Sequence, residues 1–399
     1  MMITNPRRIV GSNAERTRLH NRQVVLGHVR EKQPIGRAEI ARISGLSTQA
    51  VSNIIAELEE DGLLLEAGRQ SGGRGLPALQ YRLNGDGAAA LGIEVRPDAM
   101  FGALVNLEGE TLFTTREALA GNSPATVAAV ARKIRGEALA ARLMSDQRIL
   151  GAGVVMPGPF GNVGISGAGQ SALQGWEDTN ATALFEDALH MAVIVENDAT
   201  AAAVAERVRG VASDLRTFCF IYFGAGLGLG VVADGEVQRG TFGNAGEIGH
   251  VVMTPGGRQC ACGNKGCLET YASRIAAQAE LAKAGIEVGS ASDIERLYQE
   301  RNPELMAWLD VAAGPLSQAI GMIENLFDPE TVILGGAMPD AVLDHLISIL
   351  TLPGGSVAVR PDRKTPRVLR GASGRLTAAL GGAALVIHDT ITPRITAKT

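Results

Sequence analysis

Three of the four cysteines in this chain, Cys260, Cys262 and Cys267, lie within eight residues of one another. His250 lies ten residues before the first of them. Three thiolates and one imidazole form the tetrahedral ligand set that Zn²⁺ prefers in closed, structural sites. Scattered cysteines are usually small core residues, and a lone histidine is usually an ordinary polar residue, but neither explains three thiols at this spacing. The sequence therefore predicts one structural zinc ion per chain, bound by His250 and these cysteines.

The remaining composition excludes several classes of protein. The fourth cysteine, Cys219, lies in an apolar segment and is expected in the core, so we predict no disulfide framework. No segment approaches the roughly 18 consecutive apolar residues that a membrane helix needs. The N-terminus is polar and lacks the apolar region of a signal peptide. We therefore expect a cytoplasmic protein with no membrane partner.

Length and charge together predict more than one domain. A chain of 399 residues exceeds what one hydrophobic core usually supports. Residues 1–82 contain 12 Lys and Arg against 8 Asp and Glu, whereas the rest of the chain contains 25 against 34. Because the N-terminal domain is basic while the rest of the chain is acidic, we expect the N-terminal domain to bind a polyanion.

The first part of the chain has helical patterns separated by residues that end helices. Apolar residues at helical spacing extend over Asn21–Glu31, and Pro34 then ends this first helix. A short apolar face follows in Arg37–Ser44, which predicts a second, shorter helix.

A tight turn and a longer helix complete this pattern. Gly45 supplies the left-handed residue of a helix–helix turn, and Ser47 is a natural N-cap for a helix from Thr48 to about Asp61. This order of elements matches a helix-turn-helix. With the strands that follow, residues 21–83 are predicted to form a winged helix-turn-helix domain, preceded by a mobile arm over residues 1–20.

The third helix begins with short hydrogen-bonding side chains on its outer face and has no acidic residue before Glu57. Carboxylates there would repel the phosphates beside a major groove. Two strands around a glycine-rich basic loop then predict a wing, which favours DNA binding over a helical protein–protein module. The predicted DNA contacts are Thr48, Gln49, Ser52 and Asn53 on the helix and Arg69 and Arg74 on the wing.

From Ala88 onwards, apolar strands alternate with alanine-rich helices. Three consecutive strands followed by strand–helix units occur once from Leu91 and again from Thr217. This repetition predicts a duplicated α/β domain with a cleft between its halves.

Glu247-Ile-Gly-His250, followed by the pattern CxCGxxGCxE that ends at Glu269, resembles the signature of the ROK family of repressors, open reading frames and kinases. The resemblance implies a two-lobed, actin-like sugar-kinase fold, which is a duplicated ribonuclease H-like fold, behind the N-terminal winged helix-turn-helix. It places lobe 1 at residues 88–195, completed by a C-terminal helix over 376–390. Lobe 2, with the zinc loop, then occupies 196–375.

The family's roles can be transferred residue by residue. The resemblance implies that Glu247, His250 and Glu269 bind sugar hydroxyls, with the other nitrogen of His250 on zinc. Asn197 and Asp198 resemble the family's Asn-Asp pair, in which Asp is the general base of phosphoryl transfer. The predicted sugar-binding residues are Asn197, Asp198, Glu247, His250 and Glu269.

The first phosphate loop of the ROK kinases, Asp-x-Gly-Gly-Thr, corresponds here to Glu94 and the residues after it, and its glycines are replaced by Arg96 and Pro97. Pro97 has no N–H to donate, and the side chain of Arg96 would fill the space of the phosphates. We therefore predict that sugar binding is kept and phosphoryl transfer is lost. Asp198 then occupies a vestigial base position, and we do not expect ATP as a cofactor.

Other nucleotide-binding turns of the family are retained, although glycine turns also occur as ordinary strand–turn junctions. The residues of this vestigial nucleotide loop are Gly224, Gly226, Gly228, Gly335 and Gly336.

The sequence predicts a sugar-responsive transcriptional regulator, most simply a repressor of carbohydrate uptake or catabolism. Its expected partners are operator DNA and a sugar or sugar phosphate, and it is expected to form a homodimer or homotetramer because a helix-turn-helix reads two half-sites. An ATP-dependent sugar kinase with an appended DNA-binding domain is the alternative. A regulator that responds to a partner protein instead of a sugar is a third hypothesis.

Overall fold

In the part of the chain that the structure describes, the strands form three β-sheets, one in an N-terminal head and one in each of two lobes. The computed structural model describes residues 14–70, 78–96, 99–141, 145–158, 176, 179–224, 226–372 and 374–391.

The head combines three helices with a small antiparallel sheet of strand order β1-β3-β2. Its elements are α1 (Ala14–Lys32), β1 (Ile35–Gly36), α2 (Arg37–Ser44), α3 (Thr48–Glu60), β2 (Leu64–Gln70) and β3 (Ala78–Leu83). Gly45 ends α2 with a φ of 72°, the left-handed conformation that the turn requires. The Ser47 side chain caps α3 by accepting a hydrogen bond from the backbone N–H of Ala50 at 3.2 Å.

Helix α1 begins earlier than its apolar spacing indicates. Residues 14–20, which we expected in a mobile arm, are helical, while residues 1–13 lie outside the described part of the chain. Arg18 pairs with Glu57 of α3 at 2.8 Å, and Arg22 pairs with Glu57 and with Asp61. These pairs join the start of α1 to α3, so the arm prediction is wrong for residues 14–20.

Lobe 1 contains a five-stranded sheet of order β6-β5-β4-β7-β8. The antiparallel strands β4, β5 and β6 come first in the chain, and β7 and β8 then pair parallel beside β4. The elements of lobe 1 are β4 (Ala89–Val95), β5 (Ala99–Asn106), β6 (Thr111–Ala118), α4 (Pro124–Ala140), β7 (Ile149–Met156), α5 (Ala181–Leu189) and β8 (Val193–Asn197). Because β8 ends at Asn197, the lobe boundary falls two residues later than the predicted start at 196.

Lobe 2 repeats this topology, with strand order β11-β10-β9-β12-β13. Strands β9, β10 and β11 are antiparallel, and β12 and β13 are parallel to β9. Its elements are α6 (Asp198–Arg209), β9 (Phe218–Phe223), β10 (Leu227–Ala233), β11 (Glu236–Val237), α7 (Glu269–Ala272), α8 (Arg274–Lys283), α9 (Ala291–Gln299), α10 (Pro303–Phe327), β12 (Val332–Gly336), α11 (Asp340–Ile349) and β13 (Val368–Arg370).

The last helix, α12 (Thr377–Ile391), returns to lobe 1 and lies between its sheet and α6. A Cβ on Gly92 of β4 would collide with the carbonyl oxygen of Ala379, and a Cβ on Gly381 would collide with that of Ala201. The helix therefore touches the sheet on one side and α6 on the other at backbone distance.

The hydrophobic core of the head continues into lobe 1. Val25, Leu26 and Val29 of α1 belong to one buried cluster that also contains Ala383 and Ile387 of α12. The head is thus packed onto lobe 1 as well as linked to it by the chain. Within the described residues, no helix is both long and apolar enough to cross a membrane.

Candidate ligand cleft, metal cluster and DNA-binding face

A cavity of about 870 Å³ lies between the two lobes. Residues from the ends of β4 and β7 form its lobe 1 wall, and the start of α6, the loop before β10 and the segment before α7 form its lobe 2 wall. All of the predicted sugar-binding residues line this one cavity: Asn197, Asp198, Glu247, His250 and Glu269.

Asp198 occupies the first position of α6 at the wall of the cavity. Asn197 caps the helix by accepting the Thr200 N–H at 2.7 Å, and an oxygen of Asp198 accepts the Ala199 N–H at 2.8 Å. Burial, and then the nearby carboxylate of Glu94, raise the pKa of Asp198 to about 7. Asp198 is thus both part of a helix start and a titratable wall residue of the cleft.

Two further carboxylates converge on the same space. Burial raises the pKa of Glu247, and Glu269 raises it further, while His250 opposes the shift. An oxygen of Glu269 accepts the backbone N–H of Leu227 at 3.3 Å. Because a Cβ on Gly226 would collide with that oxygen, glycine at 226 lets Glu269 reach the loop. Such fixed acceptors suit the vicinal hydroxyls of a sugar.

The four predicted zinc ligands form a compact cluster at one end of the cavity. Their candidate ligand atoms all lie within 4.8 Å of one another. The Nδ1 of His250 is 3.6 Å from the Sγ of Cys260, and the Sγ atoms of Cys262 and Cys267 are 3.7 Å apart. A tetrahedron with Zn–S bonds of about 2.3 Å has edges of about 3.8 Å, so these residues fit a zinc ion.

The two nitrogens of His250 face different partners. Nδ1 faces the cysteines, whereas Nε2 is 4.0 Å from a carboxylate oxygen of Glu247. A metal on Nδ1 would fix the Nε2–H towards the cavity. Cys267 is followed after one residue by Glu269, the first residue of α7, so a metal held by the cluster would also fix a second wall residue.

The region of the lost first phosphate loop contains a fixed ion pair. Arg96 binds both oxygens of Glu94, with Nε–Oε1 at 2.7 Å and an N–H to Oε2 at 2.9 Å. Its guanidinium lies 4.2 Å from the ring centre of Phe101. Arg96 is therefore held in the cavity wall, at the position that the sequence resemblance assigns to the first phosphate loop, and Pro97 lies outside the described residues.

Sequence reasoning missed Tyr222, which it treated only as part of an apolar strand. Its hydroxyl donates to Glu94 at 3.5 Å, and burial raises its pKa well above the ordinary value. A tyrosine two residues before the first glycine of a glycine-rich turn was the available signal. It also missed Arg274, at the start of α8, which lines the same cavity.

The retained glycines have packing roles of their own. Gly224, Gly226 and Gly228 line the cavity, and a Cβ on Gly228 would crowd Ala199 of α6. Gly335 lies against the ring of Phe220, and Gly336 has a φ of 119° beside the backbone of Phe223. These contacts account for glycine at each position without a nucleotide.

Most of the predicted DNA contacts lie on one face of the head. Thr48, Gln49 and Asn53 are exposed and Ser52 is half-buried. The amide of Gln49 donates to that of Asn53 at 2.9 Å. Arg69 is exposed on β2, whereas Arg74 lies outside the described residues.

The first acidic residue of α3, Glu57, is paired within the head with Arg18 and Arg22 of α1. The start of α3 therefore presents hydrogen-bonding groups without a competing carboxylate, which suits entry into a major groove.

Comparisons with known proteins match both parts of the chain. A sequence model of the ROK family matches residues 90–389, and one for winged helix-turn-helix DNA-binding domains matches residues 19–64. The chain is 27% identical over 315 residues to the xylose repressor of Bacillus spizizenii, covering 79% of this chain and 81% of that protein. It is 32% identical over 235 residues to a glucokinase of Halalkalibacterium halodurans, covering 53% of this chain and 67% of that protein.

A solved structure resembles nearly the whole chain. It is a ROK family transcriptional regulator described as a homologue of the Escherichia coli MLC protein, with a TM-score of 0.74 and 26% identity. The similarity covers 94% of this chain and 98% of that one. The predicted winged helix-turn-helix and two-lobed sugar-kinase fold are confirmed by these matches.

Proposed function

The chain belongs to the ROK family, and on that premise we propose that it is a sugar-responsive transcriptional repressor. A sugar or sugar phosphate bound between the lobes changes the affinity of the head for operator DNA. The observation that carries the proposal is the shared core, in which Val25 and Val29 of α1 pack with Ala383 and Ile387 of α12. Because the head is built onto one wall of the cleft, a ligand that moves the lobes also acts on the DNA-binding face.

The chemistry of the cleft supports a polyhydroxylated ligand. Asp198, Glu247 and Glu269 offer carboxylate oxygens, and Asn197 and His250 add an amide and a ring nitrogen. Hydroxyl groups donate to such carboxylates, and a buried carboxylate without a donor is costly. The similarity to a xylose repressor agrees with this ligand class.

Zinc is proposed as the structural metal of the cluster of His250, Cys260, Cys262 and Cys267. When bound, it would organise the loop as a closed four-ligand site. His250 and Glu269 would then be held at fixed positions in the cleft. The affinity for the sugar would therefore depend on the metal, although the sugar itself does not contact the metal.

We further propose that phosphoryl transfer is lost. Arg96 is fixed by Glu94 and Phe101 in the wall where the phosphate loop would lie. The alternative, a kinase with an appended head, is favoured by Asp198, whose pKa of about 7 suits a general base, and by the similarity to a glucokinase.

The test begins with the duplex that the protein selects from a random-sequence library. Its affinity for that duplex is measured by fluorescence anisotropy with xylose, glucose, N-acetylglucosamine and their phosphates. We expect one of these ligands to change the Kd about 5- to 150-fold, as is typical of allosteric coupling. Binding of a ligand in the cleft that leaves the DNA affinity unchanged would contradict the proposal.

The kinase alternative is tested with ATP and the same unphosphorylated sugars in a coupled assay. We expect no turnover above background. Turnover by the wild-type protein that disappears in Asp198→Asn would show that the chain is an enzyme.

Operator DNA is the proposed macromolecular partner, and we propose that the chain acts as a dimer or tetramer in the cytoplasm, where the chromosome lies. A helix-turn-helix that reads two half-sites requires two heads at a fixed spacing.

A further inference from the structure

We propose that helix α1 of the head is a clamp across the ends of α6 and α12, which belong to different lobes, and that Gln23 and Arg30 are the positioning residues that transmit lobe movement to the DNA-binding face. This inference rests on the proposed function, since it names the part of the molecule that couples the cleft to the head.

Helix α6 moves with lobe 2 and begins in the cleft. Asn197 and Asp198 at its start line the cavity. A Cβ on Gly230 of β10 would collide with the carbonyl oxygen of Ala199, so α6 rests directly on the lobe 2 sheet. Its twelve residues span about 18 Å and end away from the cleft at Arg209.

Helix α12 moves with lobe 1. A Cβ on Gly382 would collide with the backbone of Gly153 in β7, which places α12 on the lobe 1 sheet at backbone distance. Its contact with α6 involves the small residues Gly381 and Ala201. Packed helices accommodate shear by small sliding movements, and we expect α6 and α12 to slide in this way where small residues let them approach closely.

Helix α1 holds the C-terminal ends of both helices. The amide of Gln23 donates to the carbonyl oxygen of Asp389 in α12 at 2.8 Å, and the guanidinium of Arg30 donates to that of Val208 in α6 at 2.9 Å. The two anchors are seven residues, or about 10 Å, apart along α1. A cation at the C-terminus of a helix is also favoured by the helix dipole.

A change in the relative position of the lobes must therefore reach α1. If α6 shifts against α12, the carbonyl groups of Val208 and Asp389 move relative to each other, and α1 tilts or loses one anchor. Because Arg22 of α1 binds Glu57 of α3, a tilt of α1 also tilts α3, the helix that carries the predicted base contacts. The head is thus oriented by two lobes, although its core is shared with only one.

The structure offers a way to change the lobe geometry without a ligand. Arg239 of lobe 2 pairs with Glu196 of β8 in lobe 1 at 2.5 Å, so the pair crosses between the lobes. Arg239→Ala removes this link without altering any residue of α1. If α1 transmits the change in lobe geometry to the head, the effect of Arg239→Ala on the Kd for DNA should depend on Arg30.

The first experiment is a double-mutant cycle of Arg30→Ala and Arg239→Ala, with the Kd for the library-selected duplex measured without sugar. We expect Arg239→Ala to change the Kd, and the change to be at least about 3-fold smaller in the Arg30→Ala background. Effects that multiply independently would overturn the clamp. So would an Arg239→Ala protein that melts like the wild type and binds DNA with unchanged Kd.

Control variants separate the clamp from charge and folding. Lys32→Ala removes the same charge from an exposed position of α1 and should leave the effect of Arg239→Ala intact. Gln23→Ala, which changes no charge, should reproduce the loss of coupling seen with Arg30→Ala. If Lys32→Ala abolished the coupling as fully as Arg30→Ala, the contact at Val208 would not be its cause.

The second experiment adds xylose, glucose or N-acetylglucosamine and measures sugar binding by calorimetry alongside DNA binding. We expect Arg30→Ala and Gln23→Ala to bind the sugar as the wild type does, while the sugar changes their DNA affinity less than about 2-fold. Variants that keep the full response would refute the clamp. If no sugar bound the wild type, the proposed function would fail. The double-mutant cycle measured without sugar would still show whether α1 acts as a clamp.

Discussion

Asp198 is a wall residue of the cleft whose protonation changes near neutral pH, because its pKa is raised to about 7. Burial beside Glu94 raises its pKa to about 7, so the neutral acid accumulates below that pH and the carboxylate above it. A sugar hydroxyl that donates to Asp198 prefers the carboxylate. We therefore expect sugar affinity to rise about 10-fold from pH 6 to pH 8, as measured by calorimetry. In Asp198→Asn this pH dependence should vanish, and a persisting slope would assign it to another group.

Gly226 controls the position of Glu269. A Cβ at 226 would displace the oxygen that accepts the Leu227 N–H, so Gly226→Ala should weaken sugar binding by about 10-fold, the scale of one charge-assisted hydrogen bond. Gly136→Ala, in open space on α4, is the matched control and should bind like the wild type. Equal affinities for the two variants would contradict the role of Glu269 in the cleft.

The metal cluster is tested with Cys262→Ser and with chelation of the wild-type protein. Both should remove zinc, measured by mass spectrometry, and lower sugar affinity by at least about 10-fold, because His250 and Glu269 lose their support. The control is Cys219→Ala, which removes a buried thiol outside the cluster and should keep one metal per chain. A metal-free protein with normal sugar affinity would show that sugar binding in the cleft does not depend on the metal cluster.

We expect the start of α3 and the strand β2 to have different roles in DNA binding. Asn53 is exposed and paired with Gln49, so Asn53→Ala should lower affinity about 10-fold and relax the base preference at one position. Arg69→Ala should instead weaken binding to all sequences and reduce the slope of log Kd against log salt by about 1. Repeating the library selection and a salt titration with each variant distinguishes the two. A reversed pattern would show that the wing reads bases.

Local spacing is what made much of the head and of the site predictable. The candidate metal ligands other than His250 lie within one loop, and α3 has its cap, its apolar face and its polar start in one continuous segment. The first turns of α1 were missed because the partner of Arg18 is Glu57, 39 residues away. A single sequence does not reveal such a pair.

Contacts between the lobes, and between the head and lobe 2, were unpredictable for the same physical reason. Tyr222 meets Glu94 across 128 residues, and Arg30 meets Val208 across 178. The pattern of apolar residues identifies each strand and helix, but it does not determine which ends meet. The conclusions about the cleft wall and the head therefore depend on the structure.

At the scale of the whole molecule, the proposed reading of two half-sites requires two copies of the chain. We expect the selected duplex to contain two inverted half-sites whose centres are about one helical turn, or a multiple of it, apart. Light scattering of the complex should give two or four chains per duplex. A single half-site bound by one chain would contradict the oligomeric proposal.

The continuity between the head and lobe 1 has a consequence for how such proteins can be recombined. The apolar side of α1, with Val25, Leu26 and Val29, faces α12 from the other end of the chain. A head expressed alone would present this surface to water, and a head transplanted onto another lobe would meet a mismatched helix. Chimeric regulators built from this chain should therefore exchange α1 and α12 together, because these two helices pack as one unit although they lie far apart in the sequence.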